Sequence, residues 1–363
     1  MLSIAQLTMM ECFHAVSLAK SPLIIGDLLL KVLFSVVGFI LCFVLFFKER
    51  ELRNLVHINA KIILFVHFLA VVFSAAAQTV SAMYDFLRFT VLKDSLECSV
   101  SLLSHNYAVA VTVPIVITQN IITLTLLALG IERTIATLMA KSYENKKNRY
   151  VSISLLAASG FITVWWLYRF FQKIKAKPVF EQTYSVITVP SEISGDTRLN
   201  TLCLAILEAI IVVLFLLILI LNLKLRTKAR RVNAPLGLKY QVEENLASVT
   251  VLLPMACVQV VVFTVTFALT YGLGHTHDLE TDNESSLLFT NVSPLYYVAL
   301  PVIWFIQARQ KRYEKREAEK GELTFRKQVK RQAVNRISVA QEDTRVHFNM
   351  LKEAFQDLPV TRY

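Results

Sequence analysis

The segment from Tyr107 to Tyr150 reads YAVAVTVPIVITQNIITLTLLALGIERTIATLMAKSYENKKNRY. Its first 25 residues, up to Ile131, contain no charged side chain. The acid–base pair Glu132–Arg133 follows directly and precedes a basic run. About 20 apolar residues are enough for a helix to cross the hydrocarbon core of a bilayer. The segment therefore predicts a membrane-spanning helix that ends at a charged boundary.

The composition of the whole chain also predicts a membrane protein. Of its 363 residues, 55% are hydrophobic and only 18% are charged, whereas soluble domains carry about 25% charged residues. Apolar runs of similar length recur, and together they predict an all-α membrane protein, a seven-transmembrane helix bundle, with six or eight spans as alternatives. The predicted spans are Ile25–Phe47, Val56–Ala82, Tyr107–Ile131, Val151–Tyr168, Leu202–Leu223, Leu246–Gly272 and Leu287–Ala308.

The distribution of Lys and Arg predicts the orientation of the bundle. With the N-terminus outside and the C-terminus in the cytoplasm, the inner loops and the tail hold 28 of the 38 basic residues, as the cytoplasmic side of membrane proteins does. The loop before the last span is acidic and contains Asn283-Glu-Ser, an N-glycosylation pattern that functions only outside the cytosol. We expect a short extracellular N-terminus (1–24), the bundle (25–308) and a basic cytoplasmic tail (309–363).

The positive net charge of +11 predicts attraction to the anionic lipid of the inner leaflet rather than to nucleic acid. The tail begins RQKRYEKREAEK at Arg309. This pattern is typical either of a helix that lies along the membrane surface or of a solvated helix. We therefore predict a multi-pass protein of the plasma membrane.

Two other function classes find little support in the sequence. Of the seven histidines only His67 lies well inside a predicted span, since His57 is at the edge of one, and neither a Gly-x-Ser-x-Gly pattern nor a Gly-rich phosphate loop occurs. No enzyme, metal site or cofactor is therefore predicted. A polytopic transporter or a ligand-gated channel subunit is the alternative function. Transporters often contain paired, broken helices, and no such pair is evident here.

Three of the five cysteines are candidates for a disulfide, because they are predicted to lie outside the membrane or at its outer face. They are Cys12, Cys98 and Cys203. Both Cys12–Cys98 and Cys98–Cys203 are compatible with the sequence, and we favour the first.

Polar side chains inside membrane spans are costly and therefore mark candidate ligand sites. Glu208, the only ionisable candidate, is expected to meet Lys61, His67 or a basic ligand, or to reach water at the outer face. The candidates for the ligand pocket are Gln119, Asn120, Glu208 and Gln259.

The pair Glu132–Arg133 has a simple explanation, since both side chains can extend from a helix end to water. Its position at the inner end of the third of seven helices nevertheless resembles that of G-protein-coupled receptors, which carry an acidic residue followed by Arg there. Thr134 stands where that family usually has Tyr. The resemblance implies a latch. Partners hold Arg133 in the closed bundle until the sixth helix moves outward and opens a cavity for a heterotrimeric G protein.

A second stretch, LGLKYQVEENLASVTVLLP, lies where the third inner loop enters the sixth span. Its Tyr240-Gln-x-x-Glu244-Asn245 pattern resembles nematode serpentine chemoreceptors of the Sra/Srab group. Three further segments carry the same resemblance: HINAKIIL (57–64), IERTIAT (131–137) and YEN (143–145). The resemblance covers nearly the whole chain at the level of spans. It implies a chemosensory receptor for a small molecule, in the plasma membrane or sensory cilium.

Helical spacing and the resemblance to G-protein-coupled receptors together name the candidate residues of the switch. By helical spacing, Tyr240 and Glu244 share a face at the inner rim. Glu244 is expected either to pair with Arg133 across the bundle or to belong to a Glu/Asn-rich helix entrance with Lys239 as its neighbour. Pro301 stands where rhodopsin-like receptors have Asn-Pro-x-x-Tyr, although the Asn and the Tyr are missing. Ile115 replaces the Asp that binds amines, which disfavours a monoamine ligand. The implied switch residues are Glu132, Arg133, Tyr240, Glu244, Asn245 and Pro301.

Overall fold

Seven helices and one short pair of strands make up the described part of the chain. The helices are α1 (Pro22–Lys48), α2 (Ile58–Thr90), α3 (His105–Leu138), α4 (Tyr150–Lys175), α5 (Ser191–Arg231), α6 (Leu236–His275) and α7 (Ser293–Gln356). The strands β1 (Leu103–Ser104) and β2 (Gln182–Thr183) pair antiparallel. The computed structural model describes residues 16, 19–48, 58–91, 103–139, 150–175, 182–183, 191–231, 235–275 and 291–356.

The helical architecture that the sequence predicts is present. Within the described residues, α1 to α6 are each long and apolar enough to span a membrane. The seventh predicted span was placed at Leu287–Ala308, whereas α7 begins at Ser293 and becomes strongly charged from Arg309 onward. Residues 276–290 lie outside the described part. The paired strands are a small departure from an all-α fold and join the segments before α3 and after α4.

Many polar side chains of the bundle are buried beside its apolar core, and many large apolar side chains are exposed on its outside. Large apolar side chains such as Phe73 on α2, Ile210 on α5 and Val261 on α6 are exposed, whereas Gln78, Asn222 and others are buried. A soluble protein rarely leaves such a large apolar surface in water. In a bilayer the same surface contacts lipid, and every backbone polar group finds its partner inside a helix.

The helices pack mainly as the pairs α1–α2, α2–α3 and α5–α6, and α3 also contacts α4, α5 and α6. By contrast, α4 and α5 contact each other only sparsely. The start of α7 approaches α1 closely at Gly38, where an added Cβ would lie 2.6 Å from the Cβ of Tyr297. Any larger residue there would separate the two helices, so glycine is required for this contact.

The chain divides into two compact units, residues 1–306 and residues 307–363. The helical part of the second unit runs to Gln356 and is largely exposed. Oppositely charged side chains three or four residues apart line it, as in the pairs Lys311–Glu314 and Arg326–Glu322. Such pairs stabilise a solvated helix modestly.

Candidate functional site

A buried ion pair lies near the C-terminal end of α3. Arg133 donates from Nε to Glu132 Oε2 at 2.5 Å and from Nη2 to Glu132 Oε1 at 2.6 Å. Both side chains are 0% exposed. The expectation that such a pair could simply reach water is therefore wrong for this structure. Removing one member of a buried ion pair is strongly destabilising, because the other charge is left without compensation.

The same arginine connects α3 to α6. Its Nη1 donates to Asn245 Oδ1 and to Ser248 Oγ, each at 3.3 Å. Glu244 was the expected partner of Arg133, and this expectation is wrong. On α6, Arg133 instead contacts Ser248 and Asn245, the residue after Glu244. The reason is helical phase. Asn245 and Ser248 lie three residues apart on the buried face of α6, whereas Glu244 is rotated by about 100° from Asn245 and is only half-buried. We call Glu132, Arg133, Asn245 and Ser248 the Arg133 cluster.

Other contacts near this end tie α5 to its neighbours. The buried Asn222 donates from Nδ2 to Thr137 Oγ1 on α3 at 3.0 Å, and Arg226 pairs with Glu243 on α6 at 2.6 Å. Neither contact was expected from the sequence. Tyr240, which was expected to belong to the switch, is 62% exposed on α6 and lies outside the Arg133 cluster.

A second buried polar group lies deeper in the bundle and joins three helices. Glu208 of α5 accepts a hydrogen bond at Oε1 from Thr123 of α3 at 2.7 Å, and another from Nε2 of Gln259 of α6. The expected partners were Lys61, His67, a basic ligand or water at the outer face. Among the described residues the partners are instead the neutral Thr123 and Gln259, and Glu208 is fully buried. We call Thr123, Glu208 and Gln259 the Glu208 centre.

Two oxygen atoms of the Glu208 centre lack hydrogen-bond partners among the described residues. They are Glu208 Oε2 and Gln259 Oε1, and both are buried. A buried acceptor without a donor is costly, by about 1–3 kcal/mol. The centre therefore has the capacity to accept a hydrogen-bond donor from a ligand or from water.

The remaining ligand candidates have other hydrogen-bond partners than the residues of this centre. Gln119 donates from Nε2 to Ser293 Oγ, at the start of α7, at 3.2 Å. Asn120 donates to the backbone carbonyl of Val116 and lines a cavity of about 340 Å³ between α3, α4 and α5. The four candidates thus fall into three sets of contacts: Gln119 with Ser293, Asn120 with Val116 and the cavity, and Glu208 with Gln259.

A third polar network, centred on α2 and α7, was missed in the sequence. His67 lies within hydrogen-bond distance of Thr125 Oγ1 and of Tyr296 Oη, both at 3.0 Å. The hydroxyls of Ser74 and Tyr297 are 2.7 Å apart. Helical spacing could have indicated the α2 side, because His67 and Ser74 are seven residues apart and so lie on one face. Pro301 lies on α7, after Tyr296 and Tyr297, and is also buried.

Two further ion pairs are buried on α1 and α2. Lys31 lies 2.6 Å from Asp27, and Arg88 lies 3.0 Å from Asp85. Lys31, Asp85 and Arg88 are all buried, although none was a candidate site residue. The signal in the sequence was a spacing of four or three residues between opposite charges beside apolar runs.

The predicted modification sites lie largely outside the described residues. This applies to Cys12, to Cys98 and to the glycosylation site Asn283. Cys203 carries a free thiol on an exposed position of α5, so the alternative pairing Cys98–Cys203 is not formed in this structure. The favoured pairing, Cys12–Cys98, stays a prediction.

Comparison with known protein families bears on the whole chain. Residues 9–333 match a family model described as serpentine type 7TM GPCR receptor, class ab chemoreceptor. The match covers most of the chain and all seven helices at least in part. Among curated proteins, none is significantly similar to the chain. The family match confirms the resemblance and favours a receptor over a transporter, a channel or an enzyme.

Proposed function

Because the chain belongs to the class ab chemoreceptor family of serpentine seven-transmembrane G-protein-coupled receptors, we propose that it binds a small molecule and signals through a heterotrimeric G protein. It would act as a multi-pass protein of the plasma membrane, or of the membrane of a sensory cilium. The observation that carries the signalling half of this proposal is the buried Arg133, which joins α3 to α6.

The Arg133 cluster has the properties of a two-state latch. The bidentate bond to Glu132 is local to α3 and survives a movement of α6. The bonds to Asn245 and Ser248 cross between helices and break when α6 moves away. Outward movement of α6 therefore releases one edge of the guanidinium while Glu132 still neutralises its charge. A ligand can drive this change only if it binds the open state more tightly.

The Glu208 centre is the proposed site at which the ligand acts. Its two acceptor oxygens without partners, Glu208 Oε2 and Gln259 Oε1, favour a ligand that presents a hydrogen-bond donor such as a hydroxyl or amide group. The centre joins α3 to α6 as the Arg133 cluster does. Gln259 lies 14 residues from Asn245, or about 21 Å along α6. A ligand that replaced the bond between Gln259 and Glu208 would change how α6 is held against α5 and, through Thr123, against α3.

The signalling proposal is tested by recruitment of engineered mini-G proteins to the receptor in cells. A panel covering the main Gα classes would be compared for the wild-type receptor and Arg133→Ala, both without added ligand and with a panel of volatile and water-soluble small molecules. The matched control is Arg326→Ala, which removes an exposed arginine of the second unit. We expect the Arg133 variant to lose recruitment per receptor at the cell surface. The surface level is measured beside it, because loss of one member of a buried ion pair also destabilises the fold. Recruitment by Arg133→Ala at the wild-type level would overturn the latch.

A second pair of variants distinguishes the two residues of α6 that could restrain Arg133. Asn245→Ala removes an observed hydrogen bond to a charged group, worth about 1 kcal/mol at its length of 3.3 Å. The closed state loses this bond and the open state does not, so basal recruitment should rise by about fivefold. Glu244→Gln should change basal recruitment less. A larger effect of Glu244→Gln would restore Glu244 as the partner of Arg133 in the closed state.

A further inference from the structure

The sparse contact between α4 and α5 leaves a crevice that the proposed receptor mechanism does not use. It is the cavity of about 340 Å³ that Asn120 lines from α3. Most of its wall is aromatic or aliphatic, with Trp165, Trp166 and Phe170 on α4. Pockets that hold small molecules typically measure about 300–1,000 Å³ and are lined mainly by apolar side chains. The crevice is thus large enough for one small ligand.

The mouth of the crevice faces the bilayer. Ile162 and Trp165 on one side and Leu199 on the other are 50%, 56% and 60% exposed. On a membrane-spanning bundle, exposed apolar side chains contact lipid. A ligand that is dissolved in the membrane can therefore enter between α4 and α5 without crossing water.

One end of the crevice carries a positive charge. Arg169 lines it two helical turns beyond Ile162, and Asn200 lines the same end from α5. Arg169 is exposed, so its guanidinium keeps access to water at the membrane surface while its stem covers apolar wall. From Ile162 to Arg169 the apolar wall of α4 extends about 10 Å. A cationic rim above an apolar slot complements a molecule with an anionic head and an apolar chain.

We propose that the crevice between α4 and α5 binds a fatty acid from the membrane. The carboxylate accepts hydrogen bonds from Arg169 and from the amide of Asn200, since a carboxylate is bound well by the planar guanidinium group. The chain lies against Trp165, Trp166 and Phe170. The small volume selects one chain over the two chains of a phospholipid. No residue that lines the crevice belongs to the Glu208 centre, although Leu124 and Leu207 are the chain neighbours of Thr123 and Glu208. Binding in the crevice can be measured without signalling.

Direct labelling of the purified full-length receptor tests this site. The receptor is placed in nanodiscs of phosphatidylcholine with a palmitic acid analogue that carries a diazirine in mid-chain and a terminal alkyne. After irradiation, labelled peptides are mapped by mass spectrometry. We expect labelling to concentrate on residues 162–170 and 199–207, and unlabelled palmitic acid to compete about tenfold better than hexadecanol, which lacks the charge. Uniform labelling of all exposed helix faces would overturn the proposal.

Two variants test the head and the chain separately. Arg169→Gln should weaken labelling about threefold to tenfold, the range expected for loss of a charge-assisted hydrogen bond at an exposed position. Cys203→Trp, at an exposed residue of the crevice wall, should block the chain and reduce labelling at least as much. Lys20→Gln, which removes an exposed cation near the start of α1, is the matched control and should label as wild type does.

The remaining outcomes also decide the question. Wild-type labelling of Arg169→Gln would overturn the assignment of the anionic head. Competition by phosphatidylglycerol but not by palmitic acid would overturn the fatty acid in favour of a phospholipid headgroup. Because the readout is binding to purified receptor, a failure here is distinguishable from a failure of G-protein recruitment by the wild-type receptor.

Discussion

At the scale of single residues, the Glu208 centre shows how one side chain can hold three helices together. Glu208→Ala removes the acceptor of both Thr123 and Gln259 and leaves two buried donors without a partner. We expect the free energy of unfolding to fall by about 1–3 kcal/mol. Glu208→Gln keeps one acceptor oxygen and should lose less. The measurement is the melting temperature of purified receptor, followed by size-exclusion chromatography after heating. Equal melting temperatures of Glu208→Ala and the wild-type receptor would contradict this role of Glu208.

The buried pair Asp85–Arg88 allows a stricter test at the same scale. Asp85→Ala leaves the buried Arg88 guanidinium without its 3.0 Å partner, and loss of one member of a buried pair typically destabilises by about 3–5 kcal/mol. The double variant Asp85→Leu/Arg88→Leu removes both charges and should recover much of that loss.

The control for this pair is Glu317→Ala, which breaks an exposed pair with Lys320 and should change stability by less than about 1 kcal/mol. A double variant that is as unstable as the sum of the two single variants would mean that the charges do not interact.

Individual residues were predictable where a charge interrupts an apolar run. This is why Glu132, Arg133 and Glu208 stood out in the sequence. Partners were harder to predict, because the choice between Glu244 and Asn245 depends on a helical rotation of about 100° that hydropathy does not report. Asp85 was missed because the predicted second span ended at Ala82, where the apolar run stops but the helix does not.

At the scale of elements, the contact between α1 and α7 depends on Gly38. An alanine Cβ there would lie 2.6 Å from the Cβ of Tyr297 and 2.8 Å from its backbone carbon, so α7 would have to shift. We expect Gly38→Ala to destabilise the receptor by about 1–3 kcal/mol, the usual effect of overpacking. The measurement is the melting temperature of the purified receptor.

The matched control for Gly38 lies on the same helix. An added Cβ at Gly26 meets nothing within 4 Å, and alanine is the better helix former by about 1 kcal/mol. Gly26→Ala should therefore leave stability unchanged or raise it. If Gly38→Ala behaved like Gly26→Ala, the close approach of α1 and α7 would not exist in the folded receptor.

The elements themselves were largely predictable, but their ends were not. The third span was predicted as Tyr107–Ile131 and α3 runs from His105 to Leu138; α5 exceeds the predicted Leu202–Leu223 at both ends. Apolar runs report the hydrocarbon thickness, about 20 residues of helix. Backbone hydrogen bonding continues into the interface, where charged residues are tolerated, so the helices are longer than the spans.

At the scale of the whole molecule, the helical bundle followed from composition because lipid allows few alternatives to a closed set of hydrogen-bonded helices. Which polar residues of the spans face the interior of the bundle was not readable from any single span. It emerged only when the helices packed and brought Thr123, Glu208 and Gln259 together. The charge bias of the loops predicts the orientation of the bundle in the membrane, with the N-terminus outside. This orientation can be tested in cells.

This orientation requires an N-terminal tag to be labelled on intact cells and a C-terminal tag only after permeabilisation. It also places Asn283, in the acidic segment before α7, on the side where glycosylation occurs. We expect a glycosidase to increase the electrophoretic mobility of the wild-type receptor and to leave Asn283→Gln unchanged, because that variant lacks the acceptor. Both readouts are needed, since a receptor retained inside the cell would hide both tags.

The second acceptor pattern of the chain, at Asn291, provides the control for the glycan. Asn291 Nδ2 donates to Gln78 Oε1 at 3.3 Å, and its Oδ1 accepts from the backbone amide of Ser293. A side chain held in this way at the start of α7 is a poor acceptor, so Asn291→Gln should keep the glycosidase shift. A C-terminal tag labelled on intact cells would reverse the orientation. It would place the Arg133 cluster at the extracellular face, where no G protein could reach it, and so overturn the signalling proposal as well.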